Sequence, residues 1–301
     1  MRLVAAAVLA SLVAAADPSA AAFTVGVLRR DSLLIPFAAF DGRRWSAPWP
    51  LPTLDRAIPI NLTSVPKGWW GKAGLRDTWQ ARIAGATQTL QVTQPDVVNV
   101  HCTRQIALRT DYRPAEPPPP PTVQPYPKDG LAVSPPQPVA PIAILPAGAT
   151  ELLPVWPTMR DAFNKAERDT ASRFHDPMSE QARERIDPQI EAAYAYGDNP
   201  RIYYIESSRT YRTLGSESCA IAFGTGWIVK TGDYRPQATT VDLLPCDRYG
   251  ATYMLPFGVM PLHGNLYWFA QFSGWDHERF VVVEVKAQEV EAVVNVWGGG
   301  C

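Results

Sequence analysis

Apolar and polar positions alternate along most of this chain in short runs, parted by glycine, proline and aspartate. That is the period of β-strands rather than of helices. Residues 23–28 form one such run and meet the polar turn Arg29-Arg30-Asp31; residues 33–40 form the next and end at Asp41-Gly42, a hairpin signal. Residues 79–83, 87–92, 97–102 and 106–109 read as further short strands, with Gly85-Ala86 and Gln94-Pro95-Asp96 as punctuation. The pattern resumes over 202–211, 219–229, 239–244, 252–255, 266–272, 280–285 and 290–296, which are rich in Tyr, Val, Ile, Phe and Trp. Gly215, Gly232, Gly250, Gly264 and Gly274 separate these runs.

The helical period shows only between residues 158 and 197. Thr158 with Asp161 resembles a capping box, and Met159, Phe163, Ala166, Thr170 and Phe174 form a stripe at helical spacing. Asp176-Pro177 breaks it, and Ser179, Ala182 and Ile186 suggest a further turn. Asp187-Pro188 then reads as the start of a last helix, with Ile190, Ala193 and Tyr194 on its apolar edge and Gly197 at its end.

Between the two β-rich stretches, residues 114–141 hold 12 prolines in 28 positions, five of them consecutive at Pro117 to Pro121. Proline fixes φ and lacks the N–H a ladder needs. The stretch is therefore expected to be an extended polyproline spacer, not a strand.

These elements divide the chain into residues 1–21, a signal peptide; 22–112, an N-terminal β module; 113–141, a Pro-rich linker; 142–200, a helical connector; and 201–301, a C-terminal β module. The expected class is mainly β: two sandwich- or propeller-like modules of short antiparallel strands, joined by the linker and a short helical segment. An internal likeness runs across them. Residues 26–42 (GVLRRDSLLIPFAAFDG) and 258–274 (GVMPLHGNLYWFAQFSG) agree without gaps at seven of 17 positions, among them Gly26/Gly258, Phe37/Phe269 and Gly42/Gly274. Equivalent hairpins should place Phe37 and Phe269 in the same kind of core and give matching turns at Asp41-Gly42 and Ser273-Gly274.

Arg2, the small apolar run from Leu3 to Ala15 and the A-x-A sites at Ala14-Ala15-Ala16 and Ala20-Ala21-Ala22 have the layout of a secretory signal peptide. The run is short for a membrane span, which needs about 20 residues. The chain is thus expected to be secreted or periplasmic, with no membrane span after cleavage. A formal net charge of −1 gives no global electrostatic reason to bind nucleic acid or an anionic membrane.

Paired cysteines persist in an oxidising compartment. Cys102, Cys219, Cys246 and Cys301 allow three connectivities. Cys219 with Cys246 is the favoured pair, both lying in the C-terminal β-rich region, which leaves Cys102 with Cys301. No C-x-x-C or paired-histidine spacing marks a metal site, and no cofactor motif occurs, so neither metal nor cofactor is expected.

Trp275-Asp276-His277-Glu278 is the densest polar constellation, but neighbours on a strand face opposite ways, and it reads as a hairpin tip after Gly274. The same argument separates His101 from Cys102. His175 beside Asp176-Pro177 reads as a helix-end residue, His263 precedes a turn glycine, and no G-x-S-x-G elbow marks a hydrolase triad. Asn61-Leu62-Thr63 matches a glycosylation sequon. The tryptophans are the remaining signal: Trp69 and Trp70 in the glycine-flanked segment 67–72, Trp45 with Trp49, and Trp275. Exposed indole faces stack on apolar sugar faces or anchor protein partners. The sequence therefore suggests a non-catalytic exported binding or structural module that takes carbohydrate or another protein through Trp45, Trp69, Trp70 and Trp275. A secreted hydrolase, directed at glycans, is the alternative, with catalytic residues that the sequence does not single out.

Overall fold

The computed structural model describes residues 22–54, 60–62, 65, 78–174, 181, 183, 185–212 and 219–301. The signal-peptide stretch 1–21, Trp69 and Trp70, Thr63 of the sequon, His175 and the side chain of Phe174 lie outside the described residues.

The fold is mainly β, built from a six-stranded barrel and two further antiparallel sheets. The barrel uses β1 (Phe23–Arg29), β2 (Leu33–Phe40), β4 (Thr78–Ile83), β5 (Ala86–Val100), β6 (Thr103–Thr110) and β7 (Lys128–Ser134). Their order β1-β7-β4-β5-β6-β2 closes through the β1–β2 pairing, and the two-residue β3 (Trp45–Ser46) is appended to β2. A closed sheet has no free edge to guard. A second sheet runs β12-β11-β10-β9-β8, from β8 (Ala143–Leu145), β9 (Gln189–Tyr196), β10 (Arg201–Arg212), β11 (Cys219–Lys230) and β12 (Tyr234–Pro245). The third is the meander β13 (Tyr253–Leu262), β14 (Asn265–Ser273), β15 (His277–Val285) and β16 (Val290–Gly300). One α-helix, α1 (Trp156–Phe174), follows a 3-10 turn at Thr150–Leu152.

Burial explains the order of these layers. Leu28, Leu34, Trp79, Leu90, Ile106 and Leu108 form one cluster that fills the barrel, while Phe23, Val25, Ile35 and Phe37 on the alternate positions pack on Phe269, Phe280, Val282 and Val294 of the meander. The meander's other face, Trp268, Ala270, Val281 and Val283, meets Ile202, Tyr204, Trp227 and Val229 of the five-stranded sheet. Beyond that sheet, Ala193, Tyr203, Ile205 and Ile228 pack under Leu152, Val155 and Met159. Strands covered on both faces carry continuous apolar runs, and so β1 is buried at every position. The sheets stack; they do not radiate as propeller blades.

Four expectations are corrected. The Pro-rich stretch 113–141 is more than a spacer, since seven of its residues form β7, hydrogen-bonded between β1 and β4. The reason lies in where its prolines fall. None occurs between Pro127 and Pro135, so Lys128–Ser134 keeps every ladder N–H. At Gly130 a Cβ would stand 2.0 Å from the Arg82 carbonyl oxygen, so only glycine lets β7 and β4 approach. The segment 189–196 is the strand β9, not a helix; it pairs with β10 on one side and with β8 on the other, and the sheet overrides its helical spacing. Hence residues 142–200 also belong to the five-stranded sheet. Residues 87–92 and 97–102 are not two strands: β5 runs through Pro95, where its only partner is β6 and the missing N–H leaves no gap in the ladder. His101-Cys102 is the two-residue turn between β5 and β6, with His101 at φ 50°.

Residues 26–42 and 258–274 both lie in antiparallel hairpins, and Phe37 and Phe269 share one core cluster. Their registers differ. Gly26 pairs with Pro36, leaving Phe37 as the extra residue on β2, whereas Gly258 pairs with Phe269 and the extra residue is Phe257 on β13. The turns that follow are offset too: the Asp41 N–H donates to the Arg44 carbonyl, while Gly274, aligned with Gly42, donates to His277. The likeness is one of hydrophobic pattern, not of strand register.

Candidate functional site

The aromatic site begins with two tight loops. Gly274 to Asp276 joins β14 to β15, and the Gly274 N–H closes it on the His277 carbonyl at 2.9 Å. A Cβ at Gly274 would lie 2.5 Å from the His277 ring, so a side chain there would displace that ring from Asp276. The Asp276 carboxylate takes a 2.8 Å contact with His277 Nδ1, which lowers its pKa. The Asp276 carbonyl accepts the N–H of Cys301 at 2.9 Å. Cys301 is bonded to Cys102 in the β5–β6 turn, with Cα atoms 4.8 Å apart. The C-terminal residue is thus held by the barrel and holds the loop of Trp275. Gly299, at φ 129°, makes this possible, because a Cβ there would run into Val100 and Thr103.

The second loop follows β12. Cys246 is bridged to Cys219 across a Cα separation of 5.4 Å. Arg248 donates from its backbone to the Pro245 carbonyl, Ala251 to the Arg248 carbonyl, and Tyr249 to Asp247 Oδ1. Arg248 lies at φ 64° and Gly250 at φ 97°. The Arg248 guanidinium grips Glu191 with both terminal nitrogens, one at 2.7 Å, and donates to the Tyr253 hydroxyl at 2.7 Å. Ser208 donates to the same Glu191 carboxylate. Burial works against ionisation of Glu191, but the Arg248 and Ser208 hydrogen bonds outweigh it and hold the pKa below the usual carboxylate value. The same pairing raises the pKa of Arg248.

These anchors bring Tyr249 to Trp275. Their ring centroids are 5.4 Å apart and the planes are inclined at 55°. Trp275 is 73% exposed and Tyr249 54% exposed. On β10, two residues before Ser208, Glu206 is 1% exposed and accepts the Met254 N–H at 2.6 Å, while the Tyr194 hydroxyl donates to the Met254 carbonyl at 3.0 Å. Burial raises the Glu206 pKa to about 7 against the pull of that N–H, and the Glu191 charge adds to the rise.

The structure sorts the tryptophans singled out in the sequence. Trp275 is presented to solvent at a hairpin tip. Trp45 is not: it packs among Phe23, Phe40, Tyr267 and Phe269, covering the core between barrel and meander. Trp49 is buried and donates to the Ile106 carbonyl. Trp69 and Trp70 lie outside the described residues. Asp276 and His277 touch each other, but Glu278 turns inward, away from them, to Lys128 and Gln271. Tyr249, Arg248 and Glu191 were not legible as site residues. The only hint was Asp247-Arg248-Tyr249-Gly250, a turn with an aromatic before its glycine.

Among the described residues, no group of three or more His, Cys, Asp or Glu is placed to hold a metal ion, and no helix is long and apolar enough to cross a membrane. Comparison with protein-family models, with curated proteins and with solved structures found no match. The fold and site therefore define a disulfide-bridged, mainly β protein with an exposed aromatic pair.

Proposed function

We propose that this protein is an exported, non-catalytic binding module whose contact point is the Trp275–Tyr249 pair. The observation that carries the reading is an indole left 73% exposed on a loop pinned by a disulfide-bonded residue and a hydrogen-bonded turn. A rigid exposed aromatic costs little entropy to order on binding. Export rests on the n-, h- and c-region pattern of residues 1–21, and both disulfides are consistent with an oxidising compartment. Carbohydrate or another protein is the expected partner. N-terminal sequencing of exported material should begin near Asp17 or Ala22; intact Met1 in a cytosolic fraction would overturn the localisation. Retention of the purified protein on immobilised glycans and extracytoplasmic proteins should fall at least tenfold in Trp275→Ala; equal retention would overturn the contact point.

One observation favours the second reading, a secreted hydrolase directed at glycans. Glu191 and Glu206 lie in one network with pKa values displaced in opposite directions, which is how acid and base roles are divided between carboxylates. Against it, Glu206 is enclosed and occupied by the Met254 N–H. Hydrolysis of chromogenic glycosides that is lost in both Glu191→Gln and Glu206→Gln would move the assignment to the enzyme.

A further inference from the structure

We infer that the Trp275–Tyr249 notch takes a single neutral pyranose unit of a soluble oligosaccharide; this rests on the reading of Trp275 as the contact point. Three features select that ligand over a protein, an ordered polysaccharide surface or an anionic glycan. Tyr249 and Trp275 are the exposed large apolar side chains of these two loops. Of the charged residues flanking them in the two loops, Asp247 is exposed and Arg248 and Asp276 are half-buried. A stable protein interface needs roughly 800 Å² on each partner with an apolar centre, and two rings rimmed by charged side chains do not supply it. A sugar has a C–H face of the right extent for an indole and hydroxyls on its edge for the rim.

The inclination of the rings narrows the choice further. Binding to the flat face of an ordered polysaccharide calls for coplanar aromatic rings. Here the rings touch at 5.4 Å with planes at 55°, which makes a V-shaped notch. One pyranose lies on Trp275 with its edge toward Tyr249, and neighbouring sugars leave the notch into solvent.

Charge decides the last step. Arg248 is matched by Glu191, and His277 faces Asp276. Arg279 sits on β15 opposite Trp297 of β16 and donates to Asn295 of that strand rather than to the two loops. The carboxylates of Asp247 and Asp276 stand at the rim, so a uronate or sulfate would meet negative charge without a dedicated cation. Neutral vicinal hydroxyls instead find acceptors there, since ionised carboxylates make the stronger hydrogen bonds.

The test uses the full chain after leader removal, titrated with neutral β-linked gluco- and galacto-oligosaccharides and with their uronic acid counterparts. Tryptophan fluorescence and saturation-transfer NMR read the binding. The expected result is saturable binding of a neutral series, weakened at least tenfold in Trp275→Ala and in Tyr249→Ala, and retained in Trp275→Phe. Circular dichroism confirms that each variant is folded. Binding of the uronates alone, still lost in Trp275→Ala, would overturn the neutral-sugar inference and leave the contact point standing. So would retention of an extracytoplasmic protein, rather than any saccharide, through Trp275. Loss of no binding of either kind in Trp275→Ala would overturn both.

Discussion

Lys128 Nζ on β7 lies 2.6 Å from Glu278 Oε2 on β15, and both side chains are shielded from solvent. The residues are 150 positions apart, and Gln271 of β14 donates to the same carboxylate oxygen at 2.7 Å. Burial lowers the Lys128 pKa, and the Glu278 charge opposes that fall. The pair joins the barrel to the meander beneath the loop of Trp275. Breaking a buried pair strands a charge, typically at a cost of about 3–5 kcal/mol, while replacing both partners by apolar residues is often close to neutral. Lys128→Ala is therefore expected to destabilise by that amount in urea unfolding, and Lys128→Met with Glu278→Leu by much less. Equal losses for the single and double variants would show that the ion pair does not couple the two sheets.

Glu206 gives the fold a pH dependence. Its pKa is about 7 in the folded chain against an ordinary 4.5, so between those values the folded form binds more protons than the unfolded one. The stabilisation is fully present below the unfolded value and is lost as pH rises through about 7. A displacement of this size corresponds to about 3 kcal/mol. Glu206→Gln removes the titration and is expected to flatten the stability profile across that window, leaving the variant the more stable protein at about pH 8. Parallel profiles for parent and variant would contradict the assignment.

Removing the Cys102–Cys301 bridge should act on stability and on the site together. It closes a separation of 199 residues, and loss of a native disulfide typically costs about 2–5 kcal/mol. In Cys102→Ser with Cys301→Ser, the Cys301 N–H is no longer held at Asp276. Acrylamide quenching of Trp275 is expected to rise along with a fall in melting temperature. The Cys219–Cys246 double variant, with a separation of 27 residues, should instead perturb Tyr249. A melting change without any change at Trp275 would separate the bridge from the loop.

Barrel closure depends on Gly130. Gly130→Ala forces its Cβ to within 2.0 Å of the Arg82 carbonyl oxygen, an overpacking expected to cost about 3 kcal/mol or more. Gly85→Ala meets nothing within 4 Å and only bears the strain of φ +87°, about 1–2 kcal/mol. Denaturation midpoints compare the two, and a larger loss at Gly85 would refute the close approach of β7 and β4.

The β class was legible because alternation and β-branched content act locally. Phe23, Val25 and Ile35 show it in sequence and bury as it implies. The helix stripe was legible for the same reason: Met159 and Phe163 recur at helical spacing and are buried in α1. Where local signals conflicted, tertiary pairing won. Residues 189–196 carry a helical apolar edge, yet β9 lies between β8 and β10. Residues 113–141 carry enough proline to suggest a spacer, yet their proline-free heart fills the place between β1 and β4.

For the site, the sequence by itself determined that Trp275 stands at a hairpin tip, because Gly274 and the polar triplet after it terminate a strand locally. Only the tertiary structure decided that Tyr249, 26 positions away in the sequence, would face it at 5.4 Å. It also turned Trp45 into the core and enclosed Glu278 with Lys128. Those outcomes depend on which sheet faces stack on one another. Stacking is set by the summed burial of many residues far apart in the chain, and the period of any one strand does not encode it.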